Sequence, residues 1–219
     1  MKTVSLGERL GRNFCVFLSI VALGFLVSCA TTSPPGSAPE KASPGKYTKW
    51  NGLIDELEIV QGFSIGNFSK VILLPIETAS TPLPDKGDNT FEPVTMVLGQ
   101  VDSIFMEGFK NGLKDVRNVS VGSAQVTPTG PGALIIKAKV ITMSPGSKAL
   151  RYFVGFGAGH SAAKMQGEVI DAQSSQVLLR FNHGRGSSIG IFGGDYFKMM
   201  SGDSKDVAED LGKMLTKFQ

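Results

Sequence analysis

The chain has 219 residues, 42% of them hydrophobic, with 22 basic and 19 acidic side chains and a formal charge of +3. Two of those three charges come from the first twelve residues (Lys2, Arg9 and Arg12 against Glu8), so the remainder is close to neutral. No Lys/Arg run follows, which argues against nucleic-acid binding. Two cysteines, Cys15 and Cys29, are the whole complement.

The basic start leads into FCVFLSIVALGFLV, Phe14 to Val27. A membrane-spanning helix needs about 20 apolar residues, so this shorter run fits the apolar core of an export signal. Leu26-Val27-Ser28-Cys29 follows and resembles the lipobox of bacterial lipoproteins. That resemblance implies cleavage between Ser28 and Cys29 and a lipid on the Cys29 sulfur. A thiol is the soft nucleophile such a thioether requires, and two acyl chains suffice for stable anchoring, each buried CH₂ contributing about 0.8 kcal/mol. An ordinary secretory signal cut after Ala30 and an uncleaved anchor helix are the alternatives. Ala30 stands where an Asp often retains Gram-negative lipoproteins in the inner membrane, which implies the outer membrane, with the protein facing the periplasm.

The expected organisation is a signal peptide over residues 1–28, a lipidated disordered tether over 29–50, and one periplasmic α+β domain over 51–219. The tether reading rests on Pro34, Pro35, Pro39 and Pro44 among Ser, Thr, Ala and Gly, a composition that builds no core. With Cys15 removed and Cys29 acylated, the domain has neither thiol nor disulfide and depends on hydrophobic burial.

Asn51–Val60 holds Leu53, Ile54, Leu57, Ile59 and Val60 and is ambiguous in type. Lys70–Ile76 is a continuous apolar run and predicts a buried strand. Residues 78–90 read as a loop, and Asp85-Lys86-Gly87-Asp88-Asn89 lacks calcium-loop spacing. Val94, Val97, Leu98, Val101, Ile104, Phe105, Phe109, Leu113 and Val116 recur at helical steps and predict a long amphipathic helix, with Pro93 in its first turn. A short strand is expected at Val119–Val121. Leu134–Met143 alternates, with Lys137 and Lys139 on one face. His160–Ala172 alternates too, placing Lys164, Gln166 and Glu168 together. A turn at Asp171–Gln176 and a strand at Val177–His183 follow, and Asp203–Phe218 closes the chain as a helix. The expected fold is a mixed β-sheet with two helices packed on one face.

Pro145-Gly146-Ser147, Arg151-Tyr152, Gly155–Gly159 and Asp171-Ala172 together resemble the bacterial lipoproteins of domain-of-unknown-function class forty-four-ten. The resemblance spans roughly residues 70–218 and is densest in 131–180. It departs at Ser174-Ser175, where that family usually has Thr-Gly. The family has no established activity, so the resemblance implies location and fold rather than mechanism. The element order is also similar to periplasmic domains of curli-secretion-channel and penicillin-binding-protein-activator lipoproteins, which are structural or assembly proteins.

No catalytic constellation emerges. Gly155-Phe156-Gly157-Ala158-Gly159 has the wrong spacing for a dinucleotide loop and precedes a strand rather than a helix. His160 and Ser161 are neighbours on a strand and point to opposite faces. His160 and His183, the only histidines, lack an evident set of co-ligands, so no metal and no cofactor is expected. Glu168 and Asp171 differ in strand parity and make a poor acid/base pair.

Leu150–Phe156 and Ile189–Met200 are apolar, aromatic and glycine-containing where polar loops are expected. They read either as partner or membrane contacts or as irregular core. Tyr152, Phe156, Ile191, Phe192 and Tyr196 are the candidate contact residues. The expected function is therefore a non-enzymatic, lipid-anchored envelope module. It would be held to the membrane through Cys29 and contact other envelope proteins, with a homo-oligomer allowed. The alternatives are an oligomeric outer-membrane secretion channel subunit and a small-ligand-binding or hydrolytic domain using His160, His183 or Arg151.

Overall fold

In the computed structural model, which describes residues 42–128, 130–146, 161–187 and 195–219, the alternation in the second half of the chain becomes a meander. Strands β5 (Ala133–Ser144), β6 (Ala162–Asp171) and β7 (Val177–Arg185) pair antiparallel in sequence order. The turn between β6 and β7 is held by Asp171, which accepts from the Gln173 amide at 3.0 Å and the Ser174 hydroxyl at 2.7 Å. Ser175 sits there at φ +58°, a left-handed conformation that an L-residue with a Cβ adopts at a cost. This is the position where the resembled family has glycine.

The meander is the centre of a seven-stranded mixed sheet. On one side β7 pairs antiparallel with β2 (Ile54–Ile59), which pairs with the edge strand β1 (Gly45–Trp50). On the other side β5 pairs parallel with β3 (Lys70–Leu73), and β3 with the second edge strand β4 (Ser120–Ser123). The spatial order is β1-β2-β7-β6-β5-β3-β4.

The expected tether boundary at residue 50 is corrected. Gly45–Trp50 is a strand whose last residue, Trp50, is fully buried. Trp50 stacks on Phe218 (centroids 5.4 Å apart), and Phe218 on Phe63 (4.6 Å). The Phe218 carbonyl accepts from the Ile65 amide at 2.7 Å. The start of the domain is thus fastened to its last turn by aromatic burial, where each ring contributes roughly 1.5–3 kcal/mol.

Helix α1 (Phe91–Leu113) and helix α2 (Tyr196–Leu215) pack together on one sheet face. Asp88 accepts from the Thr90 amide (2.8 Å) and hydroxyl (2.6 Å), ordering the entry to α1. Helix α2 begins seven residues earlier than expected. Asp195 caps it, accepting from the Lys198 amide at 3.1 Å, so the end of the apolar run Ile189–Met200 is helical. The core joins Leu134, Ile136 and Val140 of β5 and Leu179 and Phe181 of β7 to Val97, Phe105 and Phe109 of α1 and Val207, Leu211 and Leu215 of α2. A small second cluster of Ala133, Ile135 and Ala172 lies apart from it.

The two helices meet at backbone distance. A Cβ built on Gly108 would lie 2.2 Å from the Lys205 carbonyl oxygen, and one on Gly112 2.2 Å from the Glu209 carbonyl oxygen. Gly212 approaches the Phe109 carbonyl in the same way, at 2.7 Å. Helix propensity alone favours alanine over glycine by about 1 kcal/mol, yet here the missing Cβ sets the helix separation. Gly112→Ala is expected to lower stability by about 1–3 kcal/mol through overpacking. In the same helix Gly99 has nothing within 4 Å of its would-be Cβ, and Gly99→Ala is expected to raise stability by about 0.5–1 kcal/mol. Urea denaturation of both variants checks the opposite signs.

Candidate functional site

Three polar assemblies stand out, two beneath α2 and one on the opposite face of the sheet. The first centres on His183, which is 2% exposed. Strand parity turns His183 of β7 and Asp55 of β2 toward the helix side, where Asp210 of α2 meets them. The Asp55 carboxylate lies 3.1 Å from Nδ1 and the Asp210 carboxylate 3.0 Å from Nε2. Asp55 also accepts from the Gly184 amide at 2.9 Å, and Asp210 from Arg185 at 2.5 Å.

Burial pushes the imidazole toward its neutral form, but the hydrogen bonds to Asp210 and Asp55, with their charges, outweigh it and raise its pKa above the ordinary histidine value. The Asp55 amide lies 3.4 Å from the same Nδ1, a contact only a neutral ring would accept. The shorter carboxylate contacts at both nitrogens favour the imidazolium. The hydrogen bond from His183 holds Asp55 below the usual carboxylate range, against an opposing effect of burial. For Asp210 burial acts upward, and His183 and Arg185 overcome it to leave the pKa lowered. Asp206, next along the helix, is raised by burial and by Asp203, Asp210 and Glu209.

In the imidazolium form both ring nitrogens donate, to Asp55 and to Asp210. These contacts join α2 to β2 and β7. Among the described residues no group of His, Cys, Asp and Glu has a metal-holding arrangement.

The second assembly lies where β6 begins and β7 ends. Ser161, fully buried, donates its hydroxyl to Asp203 of α2 and accepts from the Ser187 amide at 3.1 Å. Ser187 donates its own hydroxyl to Asp203 at 2.5 Å. The adjacent Gly186 lies so close to Ser161 that a Cβ would meet its carbonyl oxygen at 2.3 Å. Here too buried polar groups satisfy one another and fix the helix to the sheet.

The third assembly is the opposite sheet face, which no described helix covers. Pairing register aligns side chains from four strands into two rows. One runs Glu58, Arg180, Glu168, Lys137 and the other Glu56, Asn182, Gln166, Lys139. Arg180 bridges Glu58 (3.1 Å) and Glu168 (3.0 Å), and Asn182 donates to Glu56 at 2.9 Å. Lys46 of β1 extends the first row, 3.7 Å from Glu58. Among the described residues neither Lys137 nor Lys139 has an ion-pair partner. These side chains line a cleft of about 460 Å³.

The face was half visible in the sequence: the alternation placed Lys137 with Lys139, and Gln166 with Glu168. The contributions of Glu56, Glu58, Arg180 and Asn182 were missed, because only strand pairing brings them alongside. Asp55 and Asp210 were missed as partners of His183 for the same reason. Ser28 and Cys29, and Tyr152, Phe156, Ile191, Phe192, Arg151 and His160, lie outside the described residues. Tyr196 is half-buried against the core at the start of α2, which leaves less of its ring for outside contact.

The described residues form an α+β fold with one sheet face packed by helices and the two polar rows on the other. Residues 113–190 match the family model described as Domain of unknown function (DUF4410), the family that the sequence resembles. The matched stretch holds β4 to β7 and thus six of the eight residues in the two rows. Among solved structures the chain is similar to the PelC dodecamer from Paraburkholderia phytofirmans, with 14% identity, 74% of this chain and 98% of that one covered, and a TM-score of 0.41. It is also similar to protein XCC0632 from Xanthomonas campestris (8% identity, 67% and 81% covered, TM-score 0.36). A third is the hypothetical protein CT253 from Chlamydia trachomatis (10% identity, 68% and 90% covered, TM-score 0.35). Comparison with the curated proteins found none that matches.

The His183 clamp has a defined pH signature. A raised histidine pKa stabilises the fold fully below the unfolded value near 6.5, and this contribution is lost as pH rises through the folded pKa. The lowered Asp55 and Asp210 stabilise above the ordinary carboxylate value, and this is lost as pH falls through their folded pKa values. His183→Gln is expected to cost about 2–4 kcal/mol near neutral pH and to remove the alkaline decline above pH 6.5. Chemical denaturation across pH 5–9 checks both.

Proposed function

We propose that the protein is a lipid-anchored envelope lipoprotein whose single domain is a non-enzymatic interaction module. The observation that carries this reading is the joining of an export-signal pattern and the Cys29 lipobox to a chain that reaches its first strand at Gly45. The intervening residues are rich in Pro, Ser and Ala, a composition typical of linkers. The buried polar groups support the same reading. His183, Asp210, Ser161 and Asp203 spend their hydrogen bonds inside the fold, in structural work.

The position of the anchor relative to the proposed contacts fits as well. Gly45 pairs with Ile59, in the row of Leu179 and Val169. The segments carrying Tyr152, Phe156, Ile191 and Phe192 leave the sheet beyond the row of Ser144 and Ala162. Seven steps along β6 separate Val169 from Ala162, about 23 Å. The chain therefore enters the sheet at the end opposite to the one where these segments leave it. In this reading the protein faces the periplasm from the outer membrane, as Ala30 after the lipidated cysteine implies.

The test is metabolic labelling with an alkyne fatty acid. The natural protein is expected to take up label that survives thioester cleavage, and Cys29→Ser to take up none. An unlabelled natural protein would overturn the anchor and the envelope address with it.

A further inference from the structure

The two rows on the open sheet face are self-complementary. In strand order β2, β7, β6, β5 the first reads Glu58, Arg180, Glu168, Lys137, and the second Glu56, Asn182, Gln166, Lys139. Consider a two-fold axis parallel to the strands, lying in the interface between β7 and β6. It sets β2 of one copy opposite β5 of the other, and β7 opposite β6, without changing rows. Glu56 then faces Lys139, Glu58 faces Lys137, and Arg180 faces Glu168, each contact occurring twice. The two neutral amides face each other. Glu77, bridged beside Lys139 and lining the same cleft, continues the second row and faces Thr48, so no like charges face each other directly.

We infer that the open face is a homodimer interface, closed by a second copy of this chain in an isologous, face-to-face sheet packing. Isologous pairing is the commonest symmetry of soluble oligomers and requires a patch complementary to itself, which random placement of six charges rarely provides. Lys137 and Lys139 lack ion-pair partners among the described residues, and the cleft of about 460 Å³ gives long side chains from the second copy room to enter. Beyond the two rows the same face is partly covered within the chain, with Ile135, Thr142 and Ala162 buried, so the contact is smaller than the ~800 Å² per partner of a standard interface and belongs to the weaker class. The stagger of about 30° between packed twisted sheets is within reach of Lys, Arg and Glu side chains. The inference rests on the interaction-module reading and names its partner, but it does not depend on the lipid.

The test is a charge exchange, followed by sedimentation of the full-length protein in detergent. The natural protein is expected to dimerise. Lys139→Glu and Glu56→Lys each place two like-charge contacts in the dimer and are expected to raise its dissociation constant about tenfold or more. An equimolar mixture of the two variants has every contact opposite in sign again and is expected to associate as tightly as the natural protein, which also shows that both variants are folded. A monomeric natural protein, variants that dimerise unchanged, or a mixture that fails to recover would each overturn the inference. Photo-crosslinking from position 139 in membranes separates the two claims. An adduct only to a different protein removes self-pairing and keeps the interaction module, and no adduct at all removes this face as a contact surface and leaves the module reading to the segments carrying Tyr152 and Phe192.

Discussion

Helices α1 and α2 touch through their backbones. Gly108 and Gly112 of α1 lie against carbonyls of α2, and Gly212 lies against a carbonyl of α1. This close approach draws the two helices into one layer, narrow enough for both to reach the same sheet face. A wider pair would leave Phe105, Phe109 and Leu211 without shared neighbours and open cavities in the core. With both helices on one side, the apolar half of every central strand is buried there. On the other side two rows of Glu, Lys, Arg, Asn and Gln stay accessible, beside a small buried patch of Ala133, Ile135 and Ala172.

The polar groups beneath α2 reinforce this division. His183 and Arg185 hold Asp210, while Ser161 and Ser187 hold Asp203. The helix is thereby fixed to the ends of β2, β6 and β7 at two points two turns apart. Removing one partner of such a buried group leaves the other unsatisfied, which costs more than the bond itself contributes. These contacts define where α2 sits, whereas the apolar core supplies most of the stabilisation. The charges of the open face do neither. Arg180 and its two glutamates are solvent-exposed, and exposed ion pairs add little to stability.

Much of this was legible in the chain. Period-two alternation marked β5 and β6, and three- and four-residue steps marked α1, because one-sided burial imposes those spacings on strand and helix alike. β1 was not legible: GKYTKW follows a proline-rich stretch, and its order comes from pairing with β2 and from Trp50 packing on Phe218. β2 was ambiguous because Ile54, Leu57 and Ile59 satisfy neither period. The first turn of α2 was hidden in a run of glycines and aromatics, although Asp195 carried the signal as its cap. Ser175 was the most informative departure, since its positive φ explains why glycine is usual there. Of the sites, only fragments were readable. Asp55 and Asp210 stand 128 and 27 residues from His183, and no local pattern announces contacts over such separations.

The central claim is that this domain presents one polar face for contact while the other is consumed by folding. Amine footprinting of the protein in its own membranes tests it most directly, with Lys86 in the exposed loop before α1 as the internal reference. The account predicts that Lys137 and Lys139 are protected relative to Lys86 in intact membranes and gain reactivity on extensive dilution in detergent. Reactivity equal to that of Lys86 under both conditions would contradict it.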